Sequence, residues 1–150
     1  MHKPHHLVTS CCLAFLLAGV SGCFSNTTIS GKVEVNHPFD TEENLAPKGK
    51  VIFFSQRTSQ TIEALINEDG TYSARVPDGP TRVALQLELK PTPLVGIKNV
   101  PRNLLSAKQK AEKWQQLVDN YSSIDKTPLT IMVGEDPPTF NIKLALPEGG

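Results

Sequence analysis

The sequence predicts an all-β fold, a seven-stranded β-sandwich with one amphipathic α-helix inserted late in the chain. Three observations carry this. Seven runs rich in β-branched and aromatic residues follow one another at the spacing of sandwich strands, separated by Gly, Pro and Asn/Asp turns. Two of them, 81–89 and 139–146, alternate apolar and polar residues at period two, the pattern of half-buried strands. Only 101–121 switches to steps of three and four residues, the period of a helix with one apolar stripe.

A leader precedes the strands. Residues 1–22 open with MHKPHH and run from Leu7 to Gly19 without a charged side chain, the layout of a secretory signal. The run falls short of the roughly 20 apolar residues that cross a bilayer and contains Thr9 and Ser10. Its end, Val20, Ser21, Gly22 and Cys23, resembles the bacterial lipobox, in which a branched aliphatic and two small residues precede a lipidated cysteine. The resemblance implies cleavage before Cys23 and attachment of diacylglycerol, with palmitate-type chains, to its thiol. Cysteine usage agrees: Cys11 and Cys12 leave with the leader, so Cys23 has no disulfide partner in the mature chain. The alternative is an ordinary secreted protein with a stray thiol. Two acyl chains hold a protein on a membrane where one binds only at about 10⁴ per molar. The expected location is therefore the cell membrane or outer membrane, lipid-anchored and extracytoplasmic, with residues 23–29 as a lipidated tether.

The domain is expected over 30–147. Its strand candidates are 31–35, 49–55, 60–66, 71–76, 81–89, 129–133 and 139–146. In the fifth, Val83, Leu85, Leu87 and Leu89 share one face and Arg82, Ala84, Gln86 and Glu88 the other. Phe140, Ile142, Leu144 and Leu146 repeat the pattern. Val51 to Phe54 is apolar on both faces, which predicts a central strand or one covered on its outer side. The NEDGTY turn at 67–72 joins two strands, with Gly70 suited to positive φ and Asn67 or Asp69 to local hydrogen bonds. A calcium loop would need more ligands than this turn offers.

In the helical insertion, about 101–121, the stripe is Leu104, Ala107, Ala111, Trp114, Val118 and Tyr121, with Pro101 suited to the first turn. Such a stripe ordinarily covers its own domain. The sharper reading makes Trp114, Val118 and Tyr121 a candidate ligand or partner surface, with Trp114, the only tryptophan, as its anchor.

Charge excludes some partners. The chain has 15 basic and 15 acidic side chains, scattered rather than blocked, and loss of Lys3 with the leader leaves −1. No basic stripe of the kind demanded by nucleic acid or anionic lipid heads stands out, so no nucleic-acid partner is expected.

The segments SGKVEV, LAPKGKVIFFS, INEDGTYSARVPDGPTRVAL and NYSSIDKTPLTIMVGEDPPTFNIKLAL resemble, in this order, the bacterial lipoproteins of the carboxypeptidase regulatory-like or transthyretin-like type. The resemblance covers nearly all of 30–146 and implies a prealbumin- or Ig-like sandwich. Two departures stand out: the family has a short loop where this chain carries the helix before Tyr121, and GPTRV replaces its usual glycine-tyrosine pair. Enzymes related to that family use several histidines, or two histidines with two tyrosines on iron. Beyond the leader this chain offers only His37, in NHPFD near Asp40 and Glu42, where a solvated loop histidine is the ordinary reading and a weak metal or proton-transfer site the sharper one. No G-x-S-x-G, H-E-x-x-H, P-loop or C-x-x-C is present.

The sequence thus points to a non-enzyme without cofactor or metal: a structural or binding module at the cell envelope, held by its lipid and meeting an envelope protein. The alternatives are a carrier of a small apolar ligand, with a pocket between helix and sandwich bounded by Trp114, Phe53 or Phe54, and an unrecognised enzyme centred on His37.

Overall fold

A computed structural model describes residues 25–39, 47–89, 92, 94–99 and 101–146. The chain is mainly β, with two sheets and one helix, consistent with a β-sandwich. Its elements are β1 (Asn26–Asn36), β2 (Gly49–Ser55), β3 (Gln60–Leu65), β4 (Thr71–Pro77), β5 (Gly79–Leu87), a 3-10 turn (Arg102–Leu104), α1 (Leu105–Ser122), β6 (Thr130–Val133) and β7 (Ile142–Ala145).

One sheet has the order β4-β1-β7 and the other β3-β2-β5-β6. The second is antiparallel throughout, and β2 lies inside it, which explains the run Val51 to Phe54 with apolar residues on both faces. In the first sheet β1 changes partner part-way. Asn26 to Lys32 pair antiparallel with Pro77 to Thr71, while Val33 to Asn36 pair parallel with Ile142 to Ala145. β1 therefore begins at Asn26, inside the 23–29 span read as a tether. The reason is pairing: β4 offers a complete antiparallel ladder to those residues, and Ile29 turns into the core.

The handover between partners lies at Gly31. A Cβ built there would stand 2.0 Å from the Phe140 carbonyl oxygen and 3.0 Å from Tyr72 Oη. Only glycine lets the Phe140 segment come this close to β1. Around it, Ser30 N donates to Pro138 O at 2.9 Å, Phe140 N donates to Ser30 O at 2.8 Å, and Tyr72 Oη donates to Phe140 O. Burial pushes the Tyr72 phenol well above the ordinary tyrosine range, so it stays a donor.

The inward faces of both sheets form one core. Ile29, Val33, Tyr72, Val76 and Ile142 meet Val51, Phe53, Val83, Leu85 and Val133. Phe53 and Tyr72 bring their rings to 5.9 Å. The period-two pattern thus assigns Val83 and Leu85 correctly, with Leu87 and Leu89 half-buried toward the strand end. Ala84 departs from it. The pattern puts Ala84 outward, yet it is 0% exposed, because α1 packs against β5.

Three substitutions test this arrangement. Ile142→Ala should cost about 2–5 kcal/mol in denaturant unfolding, whereas Lys143→Ala, one residue along and exposed, should stay within about 0.5 kcal/mol. Gly31→Ala should destabilise by about 1–3 kcal/mol or more, since the neighbouring atom is backbone and β1 must shift away from Phe140; a melting temperature equal to wild type would show that the strand relaxes there freely.

Candidate functional site

Val20, Ser21 and Gly22, expected to form a lipobox, and Cys23, expected to carry the lipid, lie outside the described residues. The candidate surface that can be placed is the helix. It starts late: the 3-10 turn takes Arg102–Leu104 behind Pro101, whose φ of −54° and ψ of 148° set the entry, and α1 runs from Leu105 to Ser122. Its stripe is used from Ala107 onward. Ala111 and Trp114 are fully buried, and Val118 and Tyr121 are half-buried, with Tyr121 packed against the main core. Leu104, expected on the buried stripe, is exposed instead: it closes the 3-10 turn ahead of α1 and so stands outside the helical period that aligns Ala111 and Trp114.

Trp114 is the centre of this contact. Its ring meets the His37 imidazole edge to face, with centroids 5.2 Å apart and planes at 80°. His37 in turn stands 6.0 Å from the Phe39 ring, and Lys110 Nζ lies 5.8 Å from the centre of Phe39. The segment that follows β1 and the middle of α1 thus interleave as Phe39, His37, Trp114 and Lys110. This corrects the reading of His37 as a solvated loop side chain: it is half-buried as part of the wall against which the tryptophan packs. Nothing in NHPFD signals this, since the partner lies far along the chain.

Of the two phenylalanines expected to bound a pocket with Trp114, Phe53 faces away from the helix, whereas Phe54 lies on the other face of β2, the side of the sheet that carries Ala84. Phe53 belongs to the main core beside Tyr72, on the inward face of β2, and Trp114 is not part of that cluster. The indole Nε1 of Trp114 is buried without a hydrogen-bond partner among the described residues. Beyond Trp114, the helix is fastened by polar contacts. Thr92 Oγ1 lies 3.5 Å from Gln115 Oε1, and Arg82 Nη1 donates to Ile124 O at 3.3 Å. Thr127 Oγ1 donates to Val83 O, at 2.6 Å, which returns the chain to the sheet.

The turn at 67–72 keeps its polar groups for itself. Gly70 has φ of 84°, Gly70 N donates to Asn67 O at 2.9 Å, and Asp69 Oδ1 accepts from Thr71 Oγ1 at 2.7 Å and Thr71 N at 2.9 Å. These bonds, the hydroxyl's first, hold the Asp69 carboxyl below the ordinary aspartate range. The turn is a capped hairpin. Among the described residues no group of three or more His, Cys, Asp or Glu side chains is placed to hold a metal ion.

Comparison with known proteins adds little. No family model matches the chain, and no curated protein matches it. Its structural neighbours are DUF3823 family proteins. One, from Bacteroides ovatus ATCC 8483, superposes with a TM-score of 0.41 at 15% identity over 79% of this chain and 44% of that one. Another, from Parabacteroides merdae ATCC 43184, does so with a TM-score of 0.33 at 19% identity over 45% and 35%. This chain therefore spans less than half the length of either. A likeness at these TM-scores does not establish a carboxypeptidase regulatory-like or transthyretin-like assignment.

Burial of Trp114 makes a direct prediction. Trp114→Ala should cost about 3–5 kcal/mol, and the wild-type indole should emit in the blue and resist iodide. A nearly neutral substitution with freely quenched emission would instead make the helix a docking surface.

Proposed function

We propose that this chain is a lipid-anchored extracytoplasmic β-sandwich that serves as a non-catalytic structural or binding module at the cell envelope. The observation that carries the reading is the place where the fold begins. β1 starts at Asn26, three residues beyond Cys23, and Asp78 N donates to Ser25 O at 3.0 Å. A lipid on Cys23 would therefore adjoin the end of the sandwich, with almost no free linker, as suits a module held at a membrane surface. The secretory leader and the Val20-Ser21-Gly22-Cys23 sequence supply the location. A seven-stranded transthyretin-like topology belongs to the same proposal. The sheet orders β4-β1-β7 and β3-β2-β5-β6 support it. The non-catalytic part rests on the packing of His37, whose ring is engaged with those of Trp114 and Phe39.

A carrier of a small apolar ligand is the second reading. One observation favours it: the buried Trp114 Nε1 is a donor without a partner among the described residues, and a ligand carbonyl entering beside the helix would satisfy it. Native mass spectrometry of the protein purified from its own membranes separates the two readings, since a carrier retains a bound mass beyond the anchor.

The anchor itself is tested at one atom. Cys23→Ser should abolish incorporation of labelled palmitate and release most of the protein from the membrane fraction. Retention unchanged by this substitution, with no label on the wild type, would remove the basis of the proposal.

A further inference from the structure

Near-neutral totals conceal a local imbalance. Between Glu88 and Glu112 the chain carries Lys90, Lys98, Arg102, Lys108 and Lys110 and no acidic side chain. The expectation of no basic stripe suits the strands but not this segment. Four of the six exposed large apolar side chains among the described residues belong to the same segment: Val95 (39% exposed), Ile97 (46%), Leu104 (38%) and Leu105 (45%). The turn that carries the first two holds Leu94 and Gly96 at φ of 66° and 77°, left-handed conformations that are rare for leucine.

The start of α1 adds a second mismatch with water. Leu104 stands at its N-cap, no side chain caps it, and its first turn has no acidic residue. Leu104 N donates to Pro101 O and Leu105 N to Arg102 O within the 3-10 turn, and Lys108 pairs with Glu112 one turn on, which leaves Arg102 at the positive end of the helix dipole, a cation where anions are favoured. An apolar rim, a surplus of cations and an uncapped helix start all ask for an amphiphilic, negatively charged neighbour.

We infer that Val95, Ile97, Leu104 and Leu105, with Lys98 and Arg102, form a docking patch for an anionic phospholipid surface. The aliphatic side chains enter the boundary between headgroups and acyl chains, and the two cations face phosphates. This inference stands without the lipid anchor. The patch lies toward the end of the sandwich where β1 finishes, since α1 meets His37 and Phe39 there, whereas Ser25 enters at the other end. β1 has 11 residues, so the ends are roughly 36 Å apart. Where Cys23 also carries a lipid, two attachments at opposite ends lay the sandwich along the membrane, whereas one lets it stand.

The test uses the full chain with Cys11, Cys12 and Cys23 changed to Ser and one environment-sensitive fluorophore on a new cysteine. Val95→Cys and Leu105→Cys report the patch; Leu65→Cys, exposed on β3, is the control. Added vesicles contain phosphatidylglycerol with phosphatidylcholine, or phosphatidylcholine alone. The emission at positions 95 and 105 should shift to the blue with phosphatidylglycerol, and position 65 should stay unchanged even if the leader inserts. Each cation removed should weaken binding about fivefold, so Lys98→Ala with Arg102→Ala should weaken it about 25-fold, and salt should do likewise. Circular dichroism checks that each variant is folded. No shift at 95 and 105 with either vesicle overturns the inference. So does a shift without vesicles that grows with protein concentration, which would mean a second copy covers the patch. A shift with polyglutamate but not with vesicles also overturns it, in favour of an acidic protein partner.

Discussion

β1 is shared between two partners, and the close approach at Gly31 makes that possible. Its first seven residues complete an antiparallel ladder with β4, and its last four take a parallel partner from the far end of the chain. An antiparallel neighbour can arrive through a nearby turn, whereas a parallel one needs a long crossover. Here the connection from β1 to β7 runs through β2 to β6 and the helix, so every other element lies between these two paired strands in the chain. Tyr72 fixes the point of exchange, since its hydroxyl reaches the Phe140 carbonyl across the space that a side chain on residue 31 would fill.

The helix follows from a vacancy that the strands create. β6 pairs with β5 only from Gly79 to Arg82, which leaves Val83 to Leu87 without a strand on that side. α1 packs against β5, and the turn after it returns through Thr127 and Leu129 to the Val83 backbone. A helix at this place buries Ala84 and Trp114 together with the imidazole that follows β1. The inserted segment is therefore part of the fold over its second half, while its first turns, with Leu104 and Leu105, belong to the surface.

This division bears on function. The residues singled out as a partner surface, Trp114, Val118 and Tyr121, are engaged wholly or in part by the domain itself, and the exposed apolar side chains lie a few turns earlier. The helical period identifies an apolar stripe but not how far along the helix its cover extends. Leu104 and Trp114 read alike in the sequence and differ completely in the fold.

The strand faces were legible residue by residue, because in an extended chain the alternation of side chains is a local property: Val83 and Leu85, Ile142 and Leu144 all point where their spacing says. The hairpin turn was legible for the same reason, since Gly70 and Asp69 satisfy groups within four residues of themselves. The expected leader and the expected role of Cys23 fall outside the described residues and rest on sequence alone. What the tertiary structure alone decided is which surface covers which face. It drew Asn26 to Ile29 into β1 because β4 offered a ladder. It buried Ala84 on the polar side of its strand because α1 lay there, and it set His37 against Trp114 across about half of the chain. A local pattern encodes that a face is apolar or polar, but burial is a property of two surfaces, and the second is absent from the pattern.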